Sequence, residues 1–411
     1  MPQVATSTRL ENVRYEIRGT LHERALALEA AGHEVLKLNF GNPGAFGFAV
    51  PEHVREAIRE GLAASEGYCH QRGLIPAREA IRSQAIARGA GEVTVDDVFI
   101  GNGVSELIDL ALRALLDPGD EVLVPAPDYP LWTASVVLNG GSAVHYPCDP
   151  DQGFLPDPDE LEALITPRTR ALVLINPNNP TGAVYPEALV RALAELAVRH
   201  RLVLLSDEIY DGLLYDDARF EPVARHARET VCLSFGGLSK VHRACGYRVG
   251  WMVLSGAMRR AGGLRHALDL LAALRLCGNV PGQWAVAPAL EGPDTVSALT
   301  RPGGRLYETR RAALEAAAAS ELLALEPPAG ALYAFPRVAH PLLPGFDDNA
   351  FALALLEREH VLVVPGSSFN VPYADHFRLT LLPEAPVLRE AFARIERVLG
   401  AMAEDRRLRV A

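Results

Sequence analysis

Between residues 90 and 255, short uninterrupted apolar runs alternate with stretches in which apolar residues recur every three or four positions. The run at 98–101 ends one strand, and apolar positions 107, 108, 111, 112, 115 and 116 draw one face of a helix over 105–116. Asp117-Pro118-Gly119-Asp120 closes that helix with turn chemistry, and the next strand opens over 121–125. The same rhythm predicts strands at 142–146, 171–175, 202–205, 231–235 and 249–254, and a helix over 186–200 with Pro186 near its start. Runs rich in Val, Leu and Ile between helices predict a largely parallel sheet covered on both faces. Past residue 320 the pattern changes. Strands at 330–335 and 361–364 and helices at 349–359 and 386–399 predict a smaller α+β unit, and the partly helical stretch 13–31 is expected to join it or to reach a partner.

Composition narrows the class. The chain has 411 residues, and at about 100 to 200 residues per domain it is expected to form two or three. The expected division is an arm with part of the small domain over 1–48, a large domain over 49–290 and a small C-terminal domain over 291–411. Hydrophobic residues make up 49% and charged ones 22%, which is globular, and no apolar run approaches the roughly 18 residues of a membrane span. The first ten residues lack a basic patch followed by an apolar core, so no secretion signal is read there. A net charge of -11 without a basic cluster interleaved with aromatics argues against a nucleic-acid partner. Cys69, Cys148, Cys232, Cys245 and Cys277 are odd in number and form no CxxC pair, so they read as reduced thiols of a cytoplasmic protein and not as metal ligands.

Candidate chemistry collects where the predicted strands end, the place at which ligands bind parallel sheets. After 98–101 comes Asn102-Gly103-Val104-Ser105-Glu106, a helix start whose free amides and dipole suit a phosphate. After 171–175 comes Asn176-Pro177-Asn178-Asn179-Pro180-Thr181-Gly182, a turn of fixed φ that reads equally as a plain connecting loop. After 202–205 comes Ser206-Asp207-Glu208-Ile209-Tyr210-Asp211; a carboxylate directly after an apolar run is either paired or a helix cap. After 231–235 a glycine- and serine-rich turn holds Ser239 and Lys240, with Arg248 eight residues on. A lone Ser-Lys pair is as well explained by a solvated ammonium. Together, an amine, an acid, an amide-bearing helix start, an arginine and hydrogen-bonding Asn and Tyr side chains would satisfy a pyridine bearing an aldehyde, a phenolate and a phosphate, which is pyridoxal phosphate.

In this order NPNNPTG, SDEIYD and SK with an arginine eight residues later resemble the fold type I, class I/II aminotransferases. The stretches GNGVSEL, PAPDYPLWTA, SDEIYDGLLYDD, RLCGNVP, PGGRLYE and DHFRLTLLP look most like the bacterial glutamate/pyruvate (alanine) enzymes. The resemblance covers nearly the whole chain. It implies an α/β fold with a large, mostly parallel domain and a smaller α+β domain, and a homodimer sharing its active sites. It implies pyridoxal 5'-phosphate as cofactor and transfer of an amino group between an L-amino acid and a 2-oxo acid by a ping-pong route, with alanine and glutamate as the expected pair. By the same resemblance Lys240 forms the Schiff base and shuttles the proton, Asp207 pairs the pyridine nitrogen, Asn179 and Tyr210 bond the phenolate and Tyr129 stacks on the ring. Arg248, the amides of Gly103, Val104 and Ser105, and Ser239 are implied to hold the phosphate, with Tyr68 reaching it from a neighbouring subunit. Arg378 is implied to grip the substrate carboxylate beside Gly41, Tyr15 and Arg18 to close over substrate, and Arg275 to read a distal carboxylate.

Three positions depart from the alanine-type pattern: Gly236 replaces Asn, His242 replaces Tyr, and Asn42-Pro43-Gly44-Ala45 replaces NPAP. They leave His242 either packed or acting on proton traffic or substrate, and leave open an aminotransferase for aspartate, branched, aromatic or specialised substrates. A lyase or decarboxylase built on the same cofactor and a cofactor-binding regulator remain further alternatives.

Overall fold

The computed structural model describes residues 4–13, 15, 19–339, 343 and 345–410, without the side chains of 12 and 406–410. Its centre is an eight-stranded sheet of β1 Val98–Gly101, β2 Glu121–Ala126, β3 Ser142–Asp149, β4 Leu155–Pro156, β5 Thr169–Ile175, β6 Val203–Asp207, β7 Val231–Gly237 and β8 Gly250–Gly256. The spatial order is β1-β8-β7-β6-β5-β2-β3-β4. From β7 through β6, β5 and β2 to β3 every neighbour is parallel. Residues of β1 and β2 are buried throughout, because helices cover both faces and a strand in that position gains from apolar side chains on either side.

β8 runs antiparallel to both β1 and β7, and β4 antiparallel to β3, two reversals that the sequence pattern does not distinguish. An apolar run fits a buried strand in either direction. The reversal of β8 matters to function: its first residue meets Gly101 on one side and Gly237 on the other, so the segment entering β8 arrives at the edge where β1, β6 and β7 end.

Helix boundaries follow local chemistry. Val104–Leu115 buries Leu107, Ile108, Leu110, Ala111 and Leu112 against the sheet and starts at Gly103, whose φ is +84°. Glu187–His200 begins after Pro186 with Glu187 in the first turn and ends with Arg199 and His200, charges that complement its dipole. Asp348–Glu359 is capped by Asp347, whose carboxylate accepts from the amides of Asn349 and Ala350.

The expected strand at 330–335 is reduced to Tyr333–Ala334, which pairs antiparallel with Phe377–Thr380. The expected strand 361–364 is two pieces, Val361–Leu362 and Val364–Pro365, and the final helix extends over Ala385–Val410. Leu36–Lys37 pairs parallel with Val361–Leu362, so an early segment completes a late sheet. A second core forms there from Leu38, Leu355, Phe377, Leu379, Leu388 and Ile395. No helix among the described residues is long and apolar enough to cross a membrane.

Candidate active site

At the edge where β1, β5, β6 and β7 end and β8 begins, a cavity of about 650 Å³ opens between the sheet and the C-terminal unit. Val104, Ser105, Asn179, Asp207, Tyr210, Ser239, Lys240 and Arg248 line its sheet side, and Tyr15, Gly41, Tyr129 and Arg378 its other walls. Gly103 stands just before the helix at its rim.

Lys240 follows β7 in a loop, and its Nζ donates to the Gly41 carbonyl at 2.6 Å. Asp207, the last residue of β6, is buried, with Oδ2 accepting from Trp132 Nε1 at 3.0 Å. Burial pushes its carboxyl up to about 6, while the Trp132 bond, the Ile209 amide and the charge of Lys240 hold it down. Its recorded contacts leave it an acceptor inside the cavity, suited to pair a protonated nitrogen.

The loop after β5 is braced by its own side chains. Asn176 Oδ1 accepts from the Tyr185 amide, and Asn178 Oδ1 accepts from the amide and hydroxyl of Thr181. Gly182, at φ +75°, lies against Pro328 and the Gly330 carbonyl where a Cβ would not fit. Asn179 is then free to turn inward, and its Oδ1 accepts from Arg378 Nη1 at 2.9 Å.

Arg378 is buried, donates from Nη2 to the Asn39 carbonyl at 2.5 Å, and lies between the rings of Tyr333 and Phe369, 4.4 and 4.9 Å from their centres. Its Nε has no hydrogen-bond partner among the described residues. With two of its five N–H groups engaged, this buried guanidinium keeps donors for an incoming carboxylate. At the opposite end, Arg248 Nη1 and Nη2 donate to the carbonyls of Cys245 and Asn102, at 3.0 and 3.3 Å. A Cβ on Gly103 would overlap that guanidinium, and one on Gly250 would overlap the Val104 amide. Two glycines thus let a cation and a helix N-terminus converge, a corner built for a phosphate.

Other predicted residues lie elsewhere. Tyr68 is 81% exposed and away from the cavity of its own chain. Arg275 is outside the lining, bonded to the Ile100 carbonyl at 2.7 Å and ion-paired with Glu106 at 3.3 Å. Arg18 lies outside the described residues. His242 is half-buried and lines a separate cavity with Arg88, Asp211 and Trp251, where burial lowers its pKa to about 4; it does not line the Lys240 cavity. Gly236 lies against the Trp251 indole, which occupies the space a side chain would need.

Three lining or supporting residues were not singled out from sequence. Trp132 reads as helix core; only its place three positions after Tyr129 hints that it stands under the same cavity. Tyr333 and Cys245 belong to no chemical motif, yet both line the wall, the Tyr333 hydroxyl beside Gly41 and Cys245 Sγ 3.2 Å from Asn42 Oδ1.

An aldehyde-bearing pyridine with a phosphate tail fits this donor set: amine, buried acid, phosphate corner and a stacking tyrosine share one cavity. Residues 33–395 match the profile of the aminotransferases of class I and II. The chain is 47% identical to the glutamate-pyruvate aminotransferase AlaA of Escherichia coli K12, over 97% of its own length and 99% of the relative's. It is 48% identical to the alanine aminotransferase of Mycobacterium tuberculosis H37Rv, over 96% and 91%. A crystal structure of an aminotransferase from Escherichia coli superimposes with a TM-score of 0.95, at 47% identity over 97% of this chain and 99% of that one. The chain belongs to the class I and II aminotransferases, enzymes that work with pyridoxal phosphate.

Proposed function

We propose that this enzyme is an alanine aminotransferase, moving the amino group of L-alanine to 2-oxoglutarate to give pyruvate and L-glutamate. The observation that carries the reading is the convergence of Lys240, Asp207 and Arg378 on one cavity, in a chain whose near-full-length relatives are named for glutamate-pyruvate and alanine transfer.

The bound cofactor supplies an aldehyde that condenses with amines and a pyridine that accepts the electron pair left at a substrate α-carbon. Arg378 binds the substrate carboxylate and so sets which bond at the α-carbon faces Lys240. Lys240 Nζ takes the α-proton as general base and returns it as general acid. Asp207, fixed by Trp132, holds a proton at the pyridine nitrogen. Asn179 and Tyr210 would hold the phenolate oxygen, and Tyr129 would stack on the ring. Arg248, Ser239, Ser105 and the helix amides at Gly103 and Val104 anchor the phosphate. Tyr15, whose hydroxyl is 3.1 Å from that of Tyr129, closes over substrate with Arg18. Pyruvate leaves before 2-oxoglutarate enters, in ping-pong order.

In this reading the enzyme is a cytoplasmic homodimer, which accounts for the exposure of Tyr68, and its units divide at 48 and 290. Arg275 stands outside the cavity of its own chain, so contact with a distal carboxylate requires the cavity of a second copy. An Arg275→Ala variant with an unchanged KM for glutamate removes that role. The function itself is tested by mixing cofactor-loaded protein with single amino acids and following the visible absorbance. Conversion by alanine and glutamate with release of the matching 2-oxo acid is expected. Release of ammonia or carbon dioxide in its place overturns the assignment.

A further inference from the structure

We propose that Tyr333 is a positioning residue for this reaction: its hydroxyl restrains the hydroxyl of Tyr210 and its ring fixes the plane of Arg378. The inference rests on the roles given to Tyr210 and Arg378 above. Tyr333 belongs to a two-residue strand paired antiparallel with Phe377–Thr380, directly opposite Thr380. Arg378 is two positions from Thr380 on the same strand and so projects to the same face, a diagonal neighbour within reach of a long side chain. The guanidinium carbon stands 4.4 Å from the centre of the Tyr333 ring. Burial in that stack strengthens the attraction between cation and ring.

At its other end, Tyr333 accepts a hydrogen bond from the Tyr210 hydroxyl at 3.1 Å. Its own hydroxyl fills the space a Cβ on Gly41 would occupy, and the Gly41 carbonyl in turn accepts from Lys240. Burial favours the neutral phenol at both tyrosines. At Tyr333 the nearby charges of Lys240 and Arg378 outweigh burial and draw the hydroxyl below its usual range, whereas burial and the Tyr333 neighbour hold Tyr210 above it. In this arrangement the single proton of the Tyr210 hydroxyl is directed at Tyr333, limiting what Tyr210 gives to a phenolate in the cavity.

Two variants separate the two arms. Tyr333→Phe keeps the ring and removes the acceptor. In cofactor-loaded protein without amino acid, the pH at which the visible band changes should move down by roughly half a unit or more, because the freed Tyr210 proton stabilises the anionic oxygen. The same change made in a Tyr210→Phe background should move it no further. An unchanged or raised transition pH, or a shift that persists without the Tyr210 hydroxyl, overturns the hydroxyl arm. Tyr333→Leu removes the ring. It should weaken binding of 2-methylalanine, which has no α-proton to lose, by about tenfold, while Tyr333→Phe stays within about twofold. Equal affinities in Tyr333→Leu and wild type overturn the ring arm. Because the pH titration uses no substrate, it stands even if alanine fails to convert the wild-type protein, an outcome that would refute the proposed function alone.

Discussion

Arg378 is held by Asn179, by the Asn39 carbonyl and by two aromatic faces, so its fork is fixed before substrate arrives. A lysine there keeps the charge and loses the planar geometry. Arg378→Lys is expected to raise KM for alanine about 100-fold with a smaller change in kcat, measured by steady-state kinetics. Lys240 has the opposite profile: its amine acts on the proton and makes one bond to Gly41. Lys240→Ala should melt within a few degrees of wild type yet lose at least about a thousandfold in kcat, and partial rescue by added methylamine would identify the missing base. Asp207, Lys240 and Arg248 were legible in the sequence because an acid, an amine and an arginine follow neighbouring strand ends in one chain, each being ambiguous alone; Arg378 was legible only through the family resemblance. Trp132 and Tyr333 escaped because an aromatic on a helix or strand is explained equally well by packing, and only the fold reveals that the indole N–H points at Asp207.

Among the elements, the entry to β8 decides how the phosphate corner is built. Gly250 faces the backbone of Gly103 and Val104 so closely that no side chain fits. Gly250→Ala should push the helix start away from Arg248, cost about 1 to 3 kcal/mol of stability and weaken cofactor binding by at least about tenfold; a melting curve and a cofactor titration measure the two effects separately. Alternation of runs and helices made the parallel body of the sheet readable. The direction of β8 was not, since Trp251, Met252, Val253 and Leu254 would be buried whichever way the strand ran. Nor was the shortness of the Tyr333 strand, because Leu332 and Phe335 are equally buried just beyond its ends.

Across the whole molecule, further carboxyl groups are buried beside the sheet. Behind Asp207, Glu208 accepts from Ser206 at 2.8 Å and Ser234 at 3.3 Å and shares a small cavity with Arg88 and Asp211. Burial pushes Glu208 up to about 7, and Asp128, bonded by Thr133 and Asn370, likewise to about 7. A carboxyl whose folded pKa lies above its unfolded value binds more protons in the native state. Its contribution is full below the unfolded value, near pH 4.5 for Glu208, and is lost as pH rises through about 7. Urea unfolding of the cofactor-free protein at pH 5 and pH 8 should therefore show Glu208→Gln losing less stability than wild type, by roughly 2 kcal/mol. An identical pH dependence would exclude Glu208 as a source. The pairing of Leu36–Lys37 with Val361–Leu362 has a consequence for biosynthesis. Emerging from the ribosome, the chain can assemble its central sheet early, but the segment around Leu38 must wait for Phe377, Leu388 and Ile395 before it has a core to enter. During synthesis that apolar edge stays uncovered longest, so slow translation of the final stretch would expose nascent chains to aggregation at this end of the molecule.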